Sequence, residues 1–258
     1  MDTDISLVVS TLNEEQNIAD CILSARELVN EVVVVDMHSA DRTVEIARSL
    51  GAKVQLIERE PFVDPTRNYA IAQATCEWIL LLDADERLTP KLANELRSIA
   101  EKGHVDMVRI HRDTYMFGRR IRYSGWQRDI HYRFFKKGFL KYPDKEVHAW
   151  PVAHGRELIL DPGKGKIQHF NYKDLRHFIN KMNDYTDGEA LKLLKINGKV
   201  SPLRGIYWGL HHFCKRFFKQ RGFKDGNYGL ILSVIMGFYW FLAFAKAWDK
   251  KQRSNKQV

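Results

Sequence analysis

The sequence has only three cysteines, Cys21, Cys76 and Cys214, and they lie far apart. That spacing excludes a disulfide framework and a CxxC zinc site, and it suits a reducing compartment. Proline is scarce, at 7 of 258 residues, and glycine stands at 16, which excludes a collagen-like or linker-rich chain. No internal repeat or low-complexity segment is present. No GxGxxG follows the first apolar run, which argues against a dinucleotide-binding enzyme. Asp2 and Asp4 stand where a signal peptide is basic, and the apolar run after them is short. The expectation is a chain that stays in the cytosol. What is present is a folding composition, with 45% hydrophobic and 28% charged residues.

Charge is unevenly spread. The formal net charge is +9. Residues 1–108 hold 10 Lys and Arg against 20 Asp and Glu, whereas residues 109–145 hold 11 against three Asp. Residues 1–200 therefore balance, with 30 of each sign. Residues 201–258 hold 11 Lys and Arg against only Asp225 and Asp249, so the whole excess sits there. A basic tail points to nucleic acid or an anionic membrane surface.

The first half alternates between two patterns. Near-continuous apolar runs at Ile5–Val9, Val32–Val35, Val54–Ile57 and Trp78–Leu82 predict strands covered on both faces. Helical spacing lies between them, over Glu14–Leu28, Arg42–Leu50 and Thr66–Ala74. A further helix spans Pro90–Glu101, with Thr89 as its N-cap. Repeated strand–helix–strand units imply an α/β fold with a doubly wound, mostly parallel, Rossmann-like sheet. Ligands of such sheets bind at the carboxyl ends of the strands. Val105–Ile110 and His131–Phe135 read as further strands, and 174–197 as a helix.

The tail changes character. Ile206, Leu210, Phe213 and Phe217 share one helical face with basic residues around it, a basic amphipathic helix over 205–221. Gly226–Ala245 is a 20-residue run without formal charge, long enough to span a bilayer or to form a buried core helix. Lys246, Trp248, Lys250 and Lys251 flank it as interfacial residues do.

Three clusters follow the apolar runs. Asp83-Ala84-Asp85 closes the fourth run, and such a carboxylate pair holds a divalent cation that binds a diphosphate, or else forms a solvated turn. Thr11-Leu12-Asn13-Glu14-Glu15 follows the first run; its polar groups contact a nucleotide, or Asn13 caps a helix. Asp36 ends the second run, where a carboxylate accepts hydrogen bonds from a base or ribose, while Asp41 caps the next helix.

The order of these clusters resembles the family 2 glycosyltransferases of the GT-A fold. The matching residues are Thr11–Glu15, Asp36–Thr43 with Ser39, Arg67-Asn68 and Leu82–Leu88. Within that family the chain resembles the lipopolysaccharide core β-1,4-glucosyltransferases. The stretch Asp129–Lys137, the element His169-Phe170-Asn171-Tyr172 and the tail element Arg221–Gly226 carry that likeness. The chain departs from the subgroup at Val147-His148-Ala149, where the subgroup has Val-His-Glu; either Glu146 or Asp144 compensates or the acceptor differs.

The resemblance implies a nucleotide-sugar site, for a UDP-sugar, built from Thr11, Asn13, Glu14, Asp36, Ser39, Arg67, Asp83 and Ala84. It implies a divalent cation, Mg²⁺ or Mn²⁺, on Asp85, Asp83 and His169, with a hydrogen-bonded core histidine as the other reading of His169. It implies inverting transfer, with Asp129 as general base or, alternatively, as a structural ion-pair partner of a nearby Arg. Residues 1–200 would be the catalytic domain, with a nucleotide-sugar half (1–104) and an acceptor half (105–200). Residues 201–258 would be the helical tail, attaching to an anionic membrane surface through 205–251. The acceptor would be an envelope glycolipid or lipid-linked saccharide, at the cytoplasmic face of the inner membrane. The attachment is expected to be peripheral or monotopic, because a full span would put the Lys-rich end outside. A polyprenyl-phosphate sugar synthase is the alternative enzyme. A basic nucleic-acid-binding protein and a catalytically dead nucleotide-binding module are the other readings. No nucleic acid is expected, since the basic residues share their segment with long apolar runs.

Overall fold

Strand β1 (Ile5–Thr11), β2 (Glu31–Asp36), β3 (Lys53–Leu56) and β4 (Trp78–Asp83) pair in parallel in the order β3-β2-β1-β4. These assignments come from a computed structural model that describes residues 4–60, 66–143, 151–195 and 200–255. Every residue of β1 and β2 is buried. Successive side chains of a strand point to opposite faces, and here each face has its own core. Leu7, Val9, Val34, Leu80 and Leu82 pack with Ile18, Ile22, Leu92 and Leu96. Val8, Val33, Val35, Ile79 and Leu81 pack with Ala70, Ile71 and Phe135. Two covered faces explain the continuous apolar runs. The third run behaves differently: β3 is the edge of the sheet, and Lys53, Gln55 and Leu56 are exposed.

The connections are α1 (Ile18–Ala25), α2 (Thr43–Ser49) and α3 (Arg67–Gln73). Helix α4 (Pro90–Lys102) starts as its sequence signals demand. Thr89 accepts a hydrogen bond from the Leu92 amide, Pro90 opens the first turn, and Gly103 closes the helix at φ 60°. Helix α1 starts later than its apolar pattern. Asn13 adopts φ 55°, and its side chain accepts from the Ala40 amide at 2.8 Å instead of capping a helix.

The remaining strands are β5 (Glu86–Arg87), β6 (Met107–Met116), β7 (Arg119–Ile121), β8 (Ile130–Lys136), β9 (Leu140–Lys141), β10 (Val152–Ala153), β11 (Glu157–Ile159) and β12 (Ile167–Tyr172). β8 runs antiparallel to β4, and β6 antiparallel to β8. Phe134 of β8 stacks on Trp78 at 4.5 Å. β5 pairs with β12, which sets Glu86 opposite His169.

The chain divides into two compact units, Met1–Asp113 with Asp129–His169, and Thr114–Arg128 with Phe170–Val258. The second unit holds α5 (Leu175–Lys195), α6 (Pro202–Cys214) and α7 (Asn227–Asn255). The amphipathic helix expected over 205–221 ends early. After Cys214 the backbone makes a π-helical turn, Lys215–Lys219, and then a 3-10 turn, Gly222–Asp225, entered through Arg221 at φ 59°. The buried Asp225 anchors this corner by accepting from the Arg122 and Tyr123 amides at 3.1 and 2.9 Å. Glycines let α6 and α7 approach closely. A Cβ on Gly209 would lie 3.0 Å from the Gly237 carbonyl, and one on Gly237 would lie 2.8 Å from the Gly209 carbonyl. Helix α7 is long and apolar enough to cross a membrane by length and composition, and only a third of its apolar window is buried. Leu230, Ile231, Val234 and Phe238 are exposed on it.

A Cβ on Gly229 would overlap the Gly222 carbonyl, while one on Gly188 meets nothing within 4 Å. Gly229→Ala is expected to lower stability by about 1–3 kcal/mol. Gly188→Ala, inside α5, is expected to raise it by about 0.4–1 kcal/mol. Thermal or denaturant unfolding of the two variants checks both signs.

Candidate active site

The parallel register brings three strand ends together. Thr11 lies opposite Asp36, and Ser10 opposite Asp83. The carboxyl ends of β1, β2 and β4 therefore share one edge, where ligands of such sheets bind. The Ser10 and Thr11 hydroxyls are buried there with no hydrogen-bond partner.

The loops after β1 and β2 are laced together. Asp36 is fully buried and accepts from the Ser39 amide at 2.7 Å and from its hydroxyl at 2.5 Å. The Ser39 hydroxyl in turn accepts from the Asn13 amide at 2.7 Å. The Glu14 amide donates to the Thr43 hydroxyl at 2.8 Å, and the Glu15 amide to Asp41 at 3.1 Å. Asp41 also receives the Thr43 amide at 3.0 Å, from one residue before the N-cap of α2, which is Arg42 and not Asp41 as expected. Thr11, Asn13, Glu14, Asp36 and Ser39 thus form one rigid group.

Beside them stands a buried lattice of opposite charges. Asp83 pairs with Arg67 at 2.8 Å, with Arg133 at 2.5 Å and more loosely with Arg112 at 3.8 Å. Glu86, with no exposed surface, accepts from Arg112 and from Arg133, both at 2.8 Å. Its other oxygen receives the Asp83 amide at 3.0 Å. Burial by itself would raise the Asp83 carboxyl; the Arg133, Arg67 and Arg112 guanidiniums outweigh it and hold the carboxyl well below its ordinary range. Asp83, read from the sequence as both a diphosphate neighbour and a metal ligand, has its oxygens given over to arginine. Ala84 is buried between the two aspartates, and its carbonyl accepts from Arg87 at 2.7 Å.

Asp85 points the other way. Its carboxylate lies 3.4 Å from His169 Nε2. His169 is buried, and its Nδ1 has no hydrogen-bond partner. Among the described residues no group of three or more His, Cys, Asp or Glu side chains converges. A carboxylate oxygen and an imidazole nitrogen at this separation still suit a divalent cation that completes its shell with diphosphate oxygens and water. The residues fit such an ion as a two-ligand site, Asp85 with His169.

Asp129 sits at the start of β8. One carboxylate oxygen takes Arg112 Nη2 at 2.6 Å, and the other lies 2.6 Å from His131 Nε2. The ion pair weighed against a base role for Asp129 is therefore present. Burial would raise this carboxyl, but the His131 bond and the Arg112 charge hold it far below its ordinary range. His131 is the more open of the two, at 40% side-chain exposure against 20% for Asp129. Burial pushes its imidazole down; the bond to Asp129 acts against that, and Arg112 adds to it. At neutral pH it is uncharged.

Glu86, Arg112, His131 and Arg133 carry no assigned role in the sequence reading. Glu86 lies in the matching stretch Leu82–Leu88, and His131 and Arg133 in Asp129–Lys137; for Arg112 the signal is the basic stretch 109–145, which answers the acid excess of residues 1–108. Val147-His148-Ala149, Asp144 and Glu146 lie outside the described residues.

Comparison with known proteins agrees with this geometry. The chain matches the family model for glycosyl transferase family 2 over residues 6–157. It is 29% identical to an uncharacterised glycosyltransferase of Rickettsia typhi, over 98% of this chain and 90% of that protein. It is 25% identical to the lipopolysaccharide core biosynthesis glycosyltransferase LpsC of Rhizobium meliloti, over 97% of this chain and 95% of that one. Among solved structures, S. aureus TarS 1–349 in complex with UDP-GlcNAc shares the fold, with a TM-score of 0.52 at 18% identity, over 90% of this chain and 79% of that chain.

Replacing Arg133 by Met removes the guanidinium that Asp83 and Glu86 share most closely, leaving Arg67 and Arg112, and is expected to cost up to about 3–5 kcal/mol. The Asp83 carboxyl is depressed in the folded state, so its stabilising share is complete above its ordinary value of 3.8 and lost as pH falls through the lower folded value. The gap between wild type and variant should therefore be full at pH 5–7 and narrow below 3.8, as read by denaturant unfolding across pH.

Proposed function

The chain belongs to glycosyl transferase family 2 and is a glycosyltransferase, and on that premise we propose that it transfers a sugar, with inversion, from a UDP-sugar to a glycolipid or lipid-linked saccharide of the cell envelope. The observation that carries this reading is the shared edge of β1, β2 and β4, where Asp36, Asp83 and the Asp85–His169 pair stand together. TarS, of the same fold, was solved with UDP-GlcNAc, and LpsC is named for lipopolysaccharide core synthesis. Both support the choice of donor and acceptor class.

In this reading Thr11, Asn13, Glu14, Asp36 and Ser39 receive the nucleoside, and Arg67, Asp83 and Ala84 border the diphosphate. Asp85 and His169 would hold a divalent cation, Mg²⁺ or Mn²⁺, which would supply positive charge against the leaving diphosphate. The acceptor hydroxyl oxygen bonds to the anomeric carbon, and the bond from that carbon to the diphosphate oxygen breaks. The hydroxyl proton passes to a base made of two residues. His131 takes it, and Asp129 accepts from Nε2 and stabilises the imidazolium. Arg112 fixes the Asp129 carboxylate in place. Residues 1–200 form the catalytic part, and residues 201–258 hold it, peripherally or monotopically, at the cytoplasmic face of the membrane. The exposed apolar residues of α6 and α7 support that placement.

Thermal stabilisation by a panel of nucleotide sugars, with and without Mg²⁺ or Mn²⁺, tests the donor site. A UDP-sugar is expected to stabilise the protein, and Asp85→Asn and His169→Ala to abolish only the added effect of the metal. If no nucleotide sugar stabilises the wild type, the donor reading fails. Asp129→Asn and His131→Asn are each expected to lower turnover by about 10²–10⁴-fold with donor stabilisation retained. Normal turnover in both would remove the base assignment.

A further inference from the structure

A cavity of about 280 Å³ opens in the second unit, beside the last turn of α6, the π-helical turn after it and the middle of α7. His212, Lys215, Arg216 and Gln220 bring polar groups to it, and Tyr239 and Trp240 wall it. His212 stacks on Trp240 at 4.5 Å.

The charge facing this cavity is of one sign. Arg216 donates to the Ser124 carbonyl at 2.6 Å and lies over the Trp126 ring at 5.0 Å. Neither neighbour is an anion. Burial alone pulls its guanidinium down, to about 10, with no carboxylate acting the other way. Burial, then Lys215, His211 and Arg216, push the His212 imidazole down to about 4. Arg216 therefore senses lost water alone and His212 lost water and cations, and neither a counter-charge. Gln220 Oε1 is buried with no partner.

The contrast with the first unit is informative. There the buried guanidiniums of Arg67, Arg112 and Arg133 each meet a carboxylate. Another cavity in that unit, of about 490 Å³, has its Lys53 paired with Glu31 at 2.6 Å. Withdrawing a guanidinium from water without an anion is costly, so a site that does so is built for an anion from outside. A planar fork beside a lysine suits the oxygens of a phosphate best.

We propose that this cavity binds a phosphoryl group, with Arg216 and Lys215 as its counter-charges and the Trp240–His212 stack as its wall; its lipid source rests on the membrane reading of residues 201–258, its anion chemistry does not. The ligand chemistry is that of a phosphate ester, either a lipid headgroup or a soluble phosphate. Leu203, Tyr207, Leu210 and Phe218 are exposed on the same α6 and π-helical segment, as a lipid source requires. None of these residues belongs to the donor site, so donor-induced thermal stabilisation should persist in every variant below.

The test uses the full chain and vesicles of phosphatidylcholine, with or without phosphatidylglycerol, together with inorganic phosphate in solution. Lys215→Gln and Arg216→Gln are each expected to lower binding to phosphatidylglycerol vesicles by about tenfold, which is about 1.4 kcal/mol. Lys91→Gln removes the same charge from the exposed surface of α4, outside the segment read as membrane-attaching, and is expected to change binding by less than about twofold. Inorganic phosphate should raise the Tm of the wild type and not that of Lys215→Gln. Vesicle binding without a phosphate effect assigns the site to a lipid headgroup; a phosphate effect without vesicle binding assigns it to a soluble phosphate. Equal losses in all three variants, or none in any, would overturn the proposal. Arg216→Gln keeps a donor for the Ser124 carbonyl; should it still misfold, the exposed Lys215 decides the matter alone.

Discussion

Three carboxylates, the buried Glu86 and the partly buried Asp83 and Asp129, are held against three guanidiniums, Arg67, Arg112 and Arg133, and the candidate site depends on that match. Each charge is affordable inside the protein only because an opposite one is bonded to it. Glu86 is the centre of the lattice. It reaches Arg112 on β6, Arg133 on β8 and the Asp83 amide at the end of β4. Three strands distant in sequence are tied at one point, and the strand ends that border the site are fixed there.

This constraint separates the two aspartates of the Asp83-Ala84-Asp85 turn. Asp83 faces inward and is committed to arginine. Asp85 faces His169, which the pairing of β12 with β5 brings alongside. The lattice also reaches Asp129, so the proposed base is oriented by the same Arg112 that holds Glu86.

The second unit follows other physics. Its helices approach through Gly205, Gly209 and Gly237, with large apolar side chains left exposed around them. Close backbone contact replaces side-chain burial, which is how helices associate where apolar surface is not penalised. Its polar groups are also treated differently, since Arg216 is withdrawn from water beside an aromatic ring instead of a carboxylate.

Sequence by itself determined what is local. Apolar runs marked β1, β2 and β4, because a strand covered on both faces needs apolar side chains at every position, whereas the run at β3 became an exposed edge. Thr89 and Pro90 marked the start of α4, because a cap is satisfied within three residues. The order of the polar clusters after the strands marked the family and the edge on which the site lies. Tertiary structure alone decided the pairings. Arg112 and Arg133 are two of 11 basic residues in 109–145; Arg133 stands in the stretch that carries the subgroup likeness, but nothing there names its partners, and nothing near Arg112 singles it out. The acid excess of residues 1–108 and the basic excess that follows showed that compensation was needed, not which groups would supply it. Asn13 looked like a helix cap until the loop after β2 supplied the Ala40 amide. Likewise, the apolar pattern of 205–221 ran past Cys214, where the Asp225 corner turns the chain. A carboxylate's partner is whichever guanidinium the sheet register delivers, and register is a property of the folded chain.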